Sequence, residues 1–248
     1  MAICCKLEDM WFQLRRPAPI LNTPEFRQLF GGASGVTIPV DSNGHPQHIE
    51  SVALPGMAFA VLREMGDILE ILWPEYGIEP LYIDRRFGAL VHHKPTTRCA
   101  ALPTASILLE RMERRLGTPY VWGGNWAEGI PELLEYYPPR GRLDARTHQL
   151  WTMQGVDCSG LLFEASDGLT PRNTSALMEF GRKLSPEEPL EPLDLIVYPG
   201  HVLFVRDAKN IIESKSPMGV RLYPLMERLE ELRRERRPFV IRRFAKKG

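Results

Sequence analysis

Three side chains of complementary chemistry stand out in this chain: a thiol at Cys158, an imidazole at His201 and a carboxylate at Glu213. A thiol beside an imidazole attacks carbonyl carbon, because the ring takes the thiol proton and later returns a proton to the departing amine. A carboxylate on the far side of the ring fixes its tautomer and stabilises the imidazolium. Cys158 lies in Gly155-Val-Asp-Cys-Ser-Gly-Leu161, where Asp157 and Ser159 offer capping oxygens ahead of the apolar run 160–165. That pattern predicts a helix with Cys158 in its first turn, where unpaired N–H groups and the positive end of the dipole favour a thiolate and lower the thiol pKa. The competing reading of Cys158 is a small, inert buried residue. His201 opens the apolar run 201–205 directly after Pro199 and Gly200, so a strand starting there aims its ring toward a cleft. Glu213 follows in Ile211-Ile-Glu-Ser-Lys215, and a tight hairpin turning at 207–210 would set it beside His201. On spacing alone, an edge-strand glutamate facing water fits Glu213 equally well. The other histidines (His45, His48, His92, His93 and His148) lie in turn-rich or polar stretches and read as surface residues.

The elements that must position these groups fall into two parts. In the second, Thr104 is an N-cap for a helix carrying Leu108, Met112 and Leu116, stopped by Gly117, and residues 174–181 suit another helix. Strand candidates then crowd together at 195–198, 201–205, 211–212 and 220–223. Leu222, Leu225, Leu229 and Leu232 mark an amphipathic helix, and 239–242 a last strand. Helices followed by strands predict an α+β domain with an antiparallel sheet. The first part holds short β-rich runs at 36–40, 58–62, 68–73 and 80–84, separated by turn residues, which predicts a small all-β barrel or sandwich preceded by an irregular arm. The expected domains are 1–98 and 99–248.

Composition narrows the classes. With 44% hydrophobic and 25% charged residues the chain reads as a soluble globular protein. Its 31 basic and 31 acidic residues cancel, so no global field recruits nucleic acid or an anionic membrane. The longest nearly apolar stretch, 52–62, contains Pro55 and Gly56 and is far short of the about 20 residues a spanning helix needs. No basic region leads into an apolar core at the N-terminus, so a cytoplasmic location is expected. Cys4, Cys5, Cys99 and Cys158 form no CxxC pair, which argues for reduced thiols and against structural zinc. The basic run 233–237 and Lys246-Lys247 are interspersed with Glu227, Glu230 and Glu231, which fits a solvated helix face.

The motifs themselves have a familiar order. Leu116-Gly-Thr-Pro-Tyr-Val-Trp-Gly-Gly124, Val156-Asp-Cys-Ser-Gly-Leu161, Pro171-Arg-Asn-Thr174, Leu193-Asp-Leu-Ile196, His201-Val202 and residues 212–220 resemble, in sequence, those of the NlpC/p60 family. These are papain-like cysteine peptidases of bacterial peptidoglycan stem peptides, and the likeness spans about residues 100–220. It implies a papain-like catalytic domain needing no metal or organic cofactor, with Cys158 as nucleophile, His201 as base and acid, and Glu213 in the third polar position. It further implies that Tyr120 helps with the oxyanion together with N–H groups at the helix start, and that Asp157, Ser159 and Trp122 line the substrate side. In such relatives the aspartate meets the free amine of an N-terminal L-alanine. The strands of the first part resemble a bacterial SH3-like domain, in which Glu75, Tyr76 and Tyr82 would close one end of the cleft or else simply support the fold. The implied reaction is hydrolysis of the γ-D-glutamyl–diamino acid bond of stem peptides, in muropeptide recycling or wall remodelling. The same site also suits an N-acetylmuramoyl-L-alanine amidase, and a diverged site suits a non-catalytic binder of wall fragments. Three departures are plain: Glu213 stands where the family usually has His, Leu193 where it usually has Gly, and residues 125–156 form a long insertion. That insertion carries Trp126, Tyr136, Tyr137 and Trp151, and reads either as a surface loop or as a wall of the cleft.

Overall fold

Alternation between core and solvent builds the first sheet. The strands are β1 (Trp11–Leu14), β2 (Ala18–Leu21), β3 (Ile49–Ala53), β4 (Ala58–Met65), β5 (Ile68–Leu72), β6 (Leu81–Asp84) and β7 (Gly88–Val91), with the short helix α1 (Phe26–Leu29) between β2 and β3. They pair antiparallel in the order β3-β2-β6-β5-β4-β1-β7. Phe59 and Val61 on β4 and Leu69 and Ile71 on β5 turn inward while their neighbours face outward, as the two-residue period of a strand dictates. The expected strand at 36–40 is absent: isolated bridges join Thr37 to Gly31 and Val40 to Pro46, and Pro39 has no N–H to give a ladder.

The computed structural model describes residues 10–96 and 101–244, so the readings of Cys4, Cys5, Cys99, Lys246 and Lys247 fall outside it. The chain divides into two units: Met1–Cys99 with Glu128–Gln154, and Ala100–Ala127 with Gly155–Gly248. Most of the insertion therefore packs with the first half of the chain, and its aromatic residues explain why. Helices α3 (Glu132–Tyr136) and α4 (Ala145–Trp151) carry Tyr137 and Trp151 into a cluster with Phe26 and Phe30, with ring centroids 5.2 to 6.2 Å apart. The Tyr137 hydroxyl donates to the fully buried Asp84 carboxylate at 2.5 Å, and the Arg86 guanidinium lies 4.3 Å over the Tyr136 ring while pairing with Asp84. Burying an aromatic ring contributes roughly 1.5–3 kcal/mol. These rings are core of the first unit, not an exposed loop.

The second unit holds the expected α+β arrangement. Helix α2 (Ala105–Glu113) begins after Thr104, and a two-residue ladder of β8 (Asn125–Trp126) with β9 (Gly155–Val156) leads into α5 (Cys158–Ala165). The short α6 (Thr174–Leu177) follows. Strands β10 (Arg182–Lys183), β11 (Leu195–Tyr198), β12 (His201–Val205), β13 (Asn210–Lys215), β14 (Gly219–Pro224) and β15 (Val240–Arg243) form an antiparallel sheet in the order β10-β15-β11-β12-β13-β14. Helix α7 (Leu225–Arg234) connects β14 to β15, so Leu222 lies on a strand and not in the helix that the leucine spacing predicted. One face of the sheet, with Leu195, Val197, Val202, Phe204 and Ile212, packs on α2 and α5. The other, with Ile196, Leu203, Val205 and Ile211, packs on Leu225, Leu229 and Leu232 of α7. Leu193, buried ahead of β11, has φ 70°. This left-handed backbone is the reason a glycine suits that position, and here a leucine bears the strain in return for burial. Among the described residues no helix is long and apolar enough to cross a membrane.

Candidate active site

The helix that carries Cys158 is built from its first residue. Asp157 has extended backbone angles and caps α5, its Oδ1 accepting the Gly160 N–H at 2.7 Å. Gly160 is required there: a Cβ would collide with the Gly124 carbonyl and stand 3.0 Å from the Asp157 carboxylate. Leu161, Leu162 and Phe163 are all buried, so the helix is held by core on most of its circumference. Cys158 thus sits in the first turn, as its flanks predict, with 4% of its surface exposed.

The thiol does not follow the expectation of a depressed pKa. Burial pushes it up to about 12, and the Asp157 charge adds to that, while the Val202 and Ser159 N–H groups and the Arg172 charge pull the other way. Desolvation of the thiolate outweighs the first-turn N–H groups. Accordingly the thiol is a donor, directed at the Gly200 carbonyl 3.9 Å from Sγ. With Gly200 on one side and the Val202 N–H on the other, Cys158 lies against both backbone neighbours of His201.

The carboxylate reaches the histidine through the hairpin. Asp207 accepts the Lys209 and Asn210 N–H groups at 2.7 and 2.9 Å, closing a tight turn. The register pairs Phe204 with Ile212 and Val205 with Ile211. Carried on, it places Glu213 diagonal to His201 on one face of the sheet. His201 Nε2 lies 2.8 Å from Glu213 Oε2. Glu213 is fully buried and His201 nearly so, which excludes the solvent-facing reading of Glu213. Burial pushes the Glu213 carboxyl up, but the His201 hydrogen bond and charge, with the Arg228 and Lys215 charges, more than offset it and hold it below its ordinary value. A carboxylate on Nε2 leaves Nδ1 as the ring's other proton-exchanging atom.

The remaining predicted residues divide. Tyr120 is buried, and burial first, then the Asp157 and Cys158 charges, raise its phenol well above the ordinary value, so it stays a hydrogen-bond donor. Trp122 is 42% exposed on the same segment. Asp157 and Ser159 are otherwise engaged. Arg172, itself 5% exposed, donates to Asp157 Oδ1 at 3.0 Å, Asp157 Oδ2 at 2.7 Å and Ser159 Oγ at 2.8 Å. Gly123 N–H takes a further Oδ2 lone pair at 3.0 Å. The four lone-pair sites of the carboxylate are filled, so in this arrangement Asp157 is a cap and an arginine partner. Glu75 is exposed and belongs to the first unit. So does Tyr76, whose hydroxyl donates to the Glu50 carbonyl at 2.8 Å and lies 2.9 Å from its carboxylate, a fold-supporting bond. Tyr82 is buried on β6.

Two arginines escaped the sequence reading of roles. Arg172 stood in a quoted motif without a function, and its Nε also donates to Asn125 Oδ1 at 3.1 Å, tying the β8 segment to the cap. Arg228 of α7 reaches Glu213, with Nε 3.3 Å from Oε1. It had a signal: it falls on the stripe Leu225, Leu229, Leu232, where a charge needs a buried partner.

No protein-family model and no curated protein matches the chain. Solved structures do. The chain is similar to an NlpC/P60 family protein from Bacillus cereus at 17% identity and TM-score 0.41, over 97% of this chain and 65% of that one, so it spans just under two thirds of that protein's length. It is similar to the peptidoglycan hydrolase RipB from Mycobacterium tuberculosis at 25% identity and TM-score 0.40, over 57% of this chain and 67% of that one. It is also similar to RipD of the same organism, a non-catalytic NlpC/p60 domain protein adapted to peptidoglycan binding, at 21% identity and TM-score 0.40, over 58% of this chain and 98% of that one.

Proposed function

We propose that the second unit is a cysteine peptidase of the NlpC/p60 type, cutting the γ-D-glutamyl–diamino acid bond of peptidoglycan stem peptides. One observation carries the reading: the β12–β13 hairpin brings a buried carboxylate to His201 Nε2 at 2.8 Å, while Cys158 packs against the backbone on both sides of that histidine. The functional reading rests on this geometry.

The chemistry follows from the groups present. The neutral thiol gives its proton to His201 Nδ1 as sulfur bonds to the γ-carbonyl carbon of D-glutamate, so proton transfer and attack are coupled instead of starting from a stored thiolate. The oxyanion is met by the Tyr120 hydroxyl and N–H groups at the start of α5. When the C–N bond breaks, the imidazolium protonates the leaving amine. Water, losing a proton to Nδ1, then cleaves the thioester and restores the thiol. Glu213 keeps its own charge throughout and steadies the imidazolium.

A second reading, retention of wall fragments without cutting, is favoured by the buried thiol that stays protonated. Mass spectrometry of L-Ala-γ-D-Glu-meso-diaminopimelate, its N-acetylated form and intact muropeptides after incubation with the protein separates the two. Release of free diaminopimelate from the tripeptides supports the peptidase, and loss of the lactyl-linked peptide from muropeptides replaces it with the amidase. Binding without any product supports the second reading. Equal cleavage of free and acetylated tripeptide is expected, since Asp157 is occupied by Arg172.

A further inference from the structure

We propose that Arg228 is a positioning residue for His201: it holds Glu213 as an ionised acceptor of the Nε2 proton, so that Nδ1 keeps its lone pair for the Cys158 proton. This rests on the peptidase reading above. The guanidinium is 2% exposed and lies on the apolar stripe of α7, facing the sheet. Its Nε stands 3.3 Å from Glu213 Oε1, an ion-pair contact in which neither atom has a hydrogen-bond partner, and its Nη2 3.4 Å from Oε2; Nη1 donates to Glu231 at 2.9 Å and Nη2 to the Tyr198 hydroxyl at 3.3 Å.

The argument is one of tautomers. A neutral imidazole carries one proton, on Nδ1 or on Nε2. An ionised carboxylate at Nε2 accepts and keeps the proton there. A protonated carboxyl would instead donate to Nε2, forcing the ring proton onto Nδ1 and closing the atom that must receive the thiol proton. Glu213 has no exposure to water, so without a cation the protonated form is the favoured one next to a neutral ring. Arg228 is the cation that α7 supplies, and sharing it with Glu231 moderates how strongly it pulls. The other groups around Glu213 are Arg221, its cross-strand partner on β14, whose buried Nε has no hydrogen-bond partner, and Lys215 on its own strand. Beyond them stand Tyr198 on β11, Tyr223, which donates to Glu231 at 2.8 Å, and Arg237, 5.5 Å over the Tyr198 ring. Of these cations, Arg228 alone lies within ion-pair distance of Glu213 among the described residues.

Removing the positive charge raises the affinity of the Glu213–His201 pair for a proton whichever of the two holds it. The test is Arg228→Met and Arg228→Lys, read by histidine 15N shifts, with His201 assigned by His201→Gln, and by the pH profile of kcat/KM on the tripeptide. The wild type should show the Nε2–H tautomer. In Arg228→Met the Nδ1–H tautomer appears, and the acidic limb moves up by about one pH unit, a loss approaching tenfold along that limb. Arg228→Lys should shift both in the same direction by less. A folded Met variant with unchanged tautomer and limb overturns the proposal. Should that variant not fold, the Lys variant decides: a smaller shift supports it and no shift in either readout overturns it. If the wild type cuts no stem peptide while the tautomer follows Arg228, the peptidase reading falls and the positioning role stands. If it cuts and the tautomer ignores Arg228, the reverse holds.

Discussion

The two faces of the six-stranded sheet solve opposite problems. Toward α5 the sheet packs an apolar core of Leu195, Val197, Val202, Phe204 and Ile212, and the Cys158 thiol set against it is kept neutral by desolvation. Toward α7 an equally apolar surface takes in a carboxylate and a guanidinium, Glu213 and Arg228, both almost free of solvent. The difference lies in pairing. An unpaired buried group takes its neutral form, whereas two opposite charges that meet can both stay ionised. His201 stands at the end of β12, with its backbone neighbours against the thiol and its ring on the carboxylate, so one residue joins a neutral nucleophile to a fixed charge.

This contrast can be broken at several points. The largest effect should come from the residue that joins the faces. His201→Gln keeps a donor for Glu213 but no base, and its rate of diaminopimelate release should fall about 10²–10⁴-fold with the fold intact. A smaller loss would mean that the ring does not carry the proton. Next comes stability. Glu213→Ala strands the Arg228 guanidinium and should cost about 3–5 kcal/mol in urea unfolding. Cys158→Ala, which strands no charge, should cost only about 1 kcal/mol. Equal costs would erase the distinction between the faces.

The smallest effects should appear at opposite ends of the pH scale. The folded Cys158 thiol, near 12, titrates above its unfolded value of about 8.5. Its contribution to stability is therefore complete below about pH 8.5 and is lost as pH rises toward the folded value. Glu213 is held below its unfolded value of about 4.3, so its contribution is complete above that pH and is lost as pH falls through the folded value. Unfolding free energy measured across pH should lose its alkaline slope in Cys158→Ala and part of its acid slope in Glu213→Gln. Slopes unchanged in both variants would detach these titrations from the two groups.

Local chemistry was the legible part. Asp157 and Ser159 before an apolar run marked a helix start, and the turn residues at 207–210 marked the hairpin that carries Glu213 to His201. What stayed hidden depends on partners far along the chain. Asp157 reads as an available carboxylate until Arg172, fifteen residues on, is seen to fill its lone pairs. The thiol reads as activated until the packing of the sheet on α5 desolvates it. The insertion reads as a surface loop or a cleft wall because the rings that enclose Tyr137 and Trp151 come from Phe26 and Phe30, more than a hundred residues earlier. Arg228 was legible in principle, since a charge on an apolar stripe demands a partner, yet only the β13 register identifies that partner as Glu213.

The central claim is that Cys158 is the nucleophile of a stem-peptide hydrolase. Its most direct test is the rate at which wild-type protein and Cys158→Ala, matched for folded fraction, release diaminopimelate from L-Ala-γ-D-Glu-meso-diaminopimelate, followed by mass spectrometry. Turnover by the wild type with none above buffer in the variant is the predicted result. Equal release by both proteins, or a wild type that releases nothing, would contradict it.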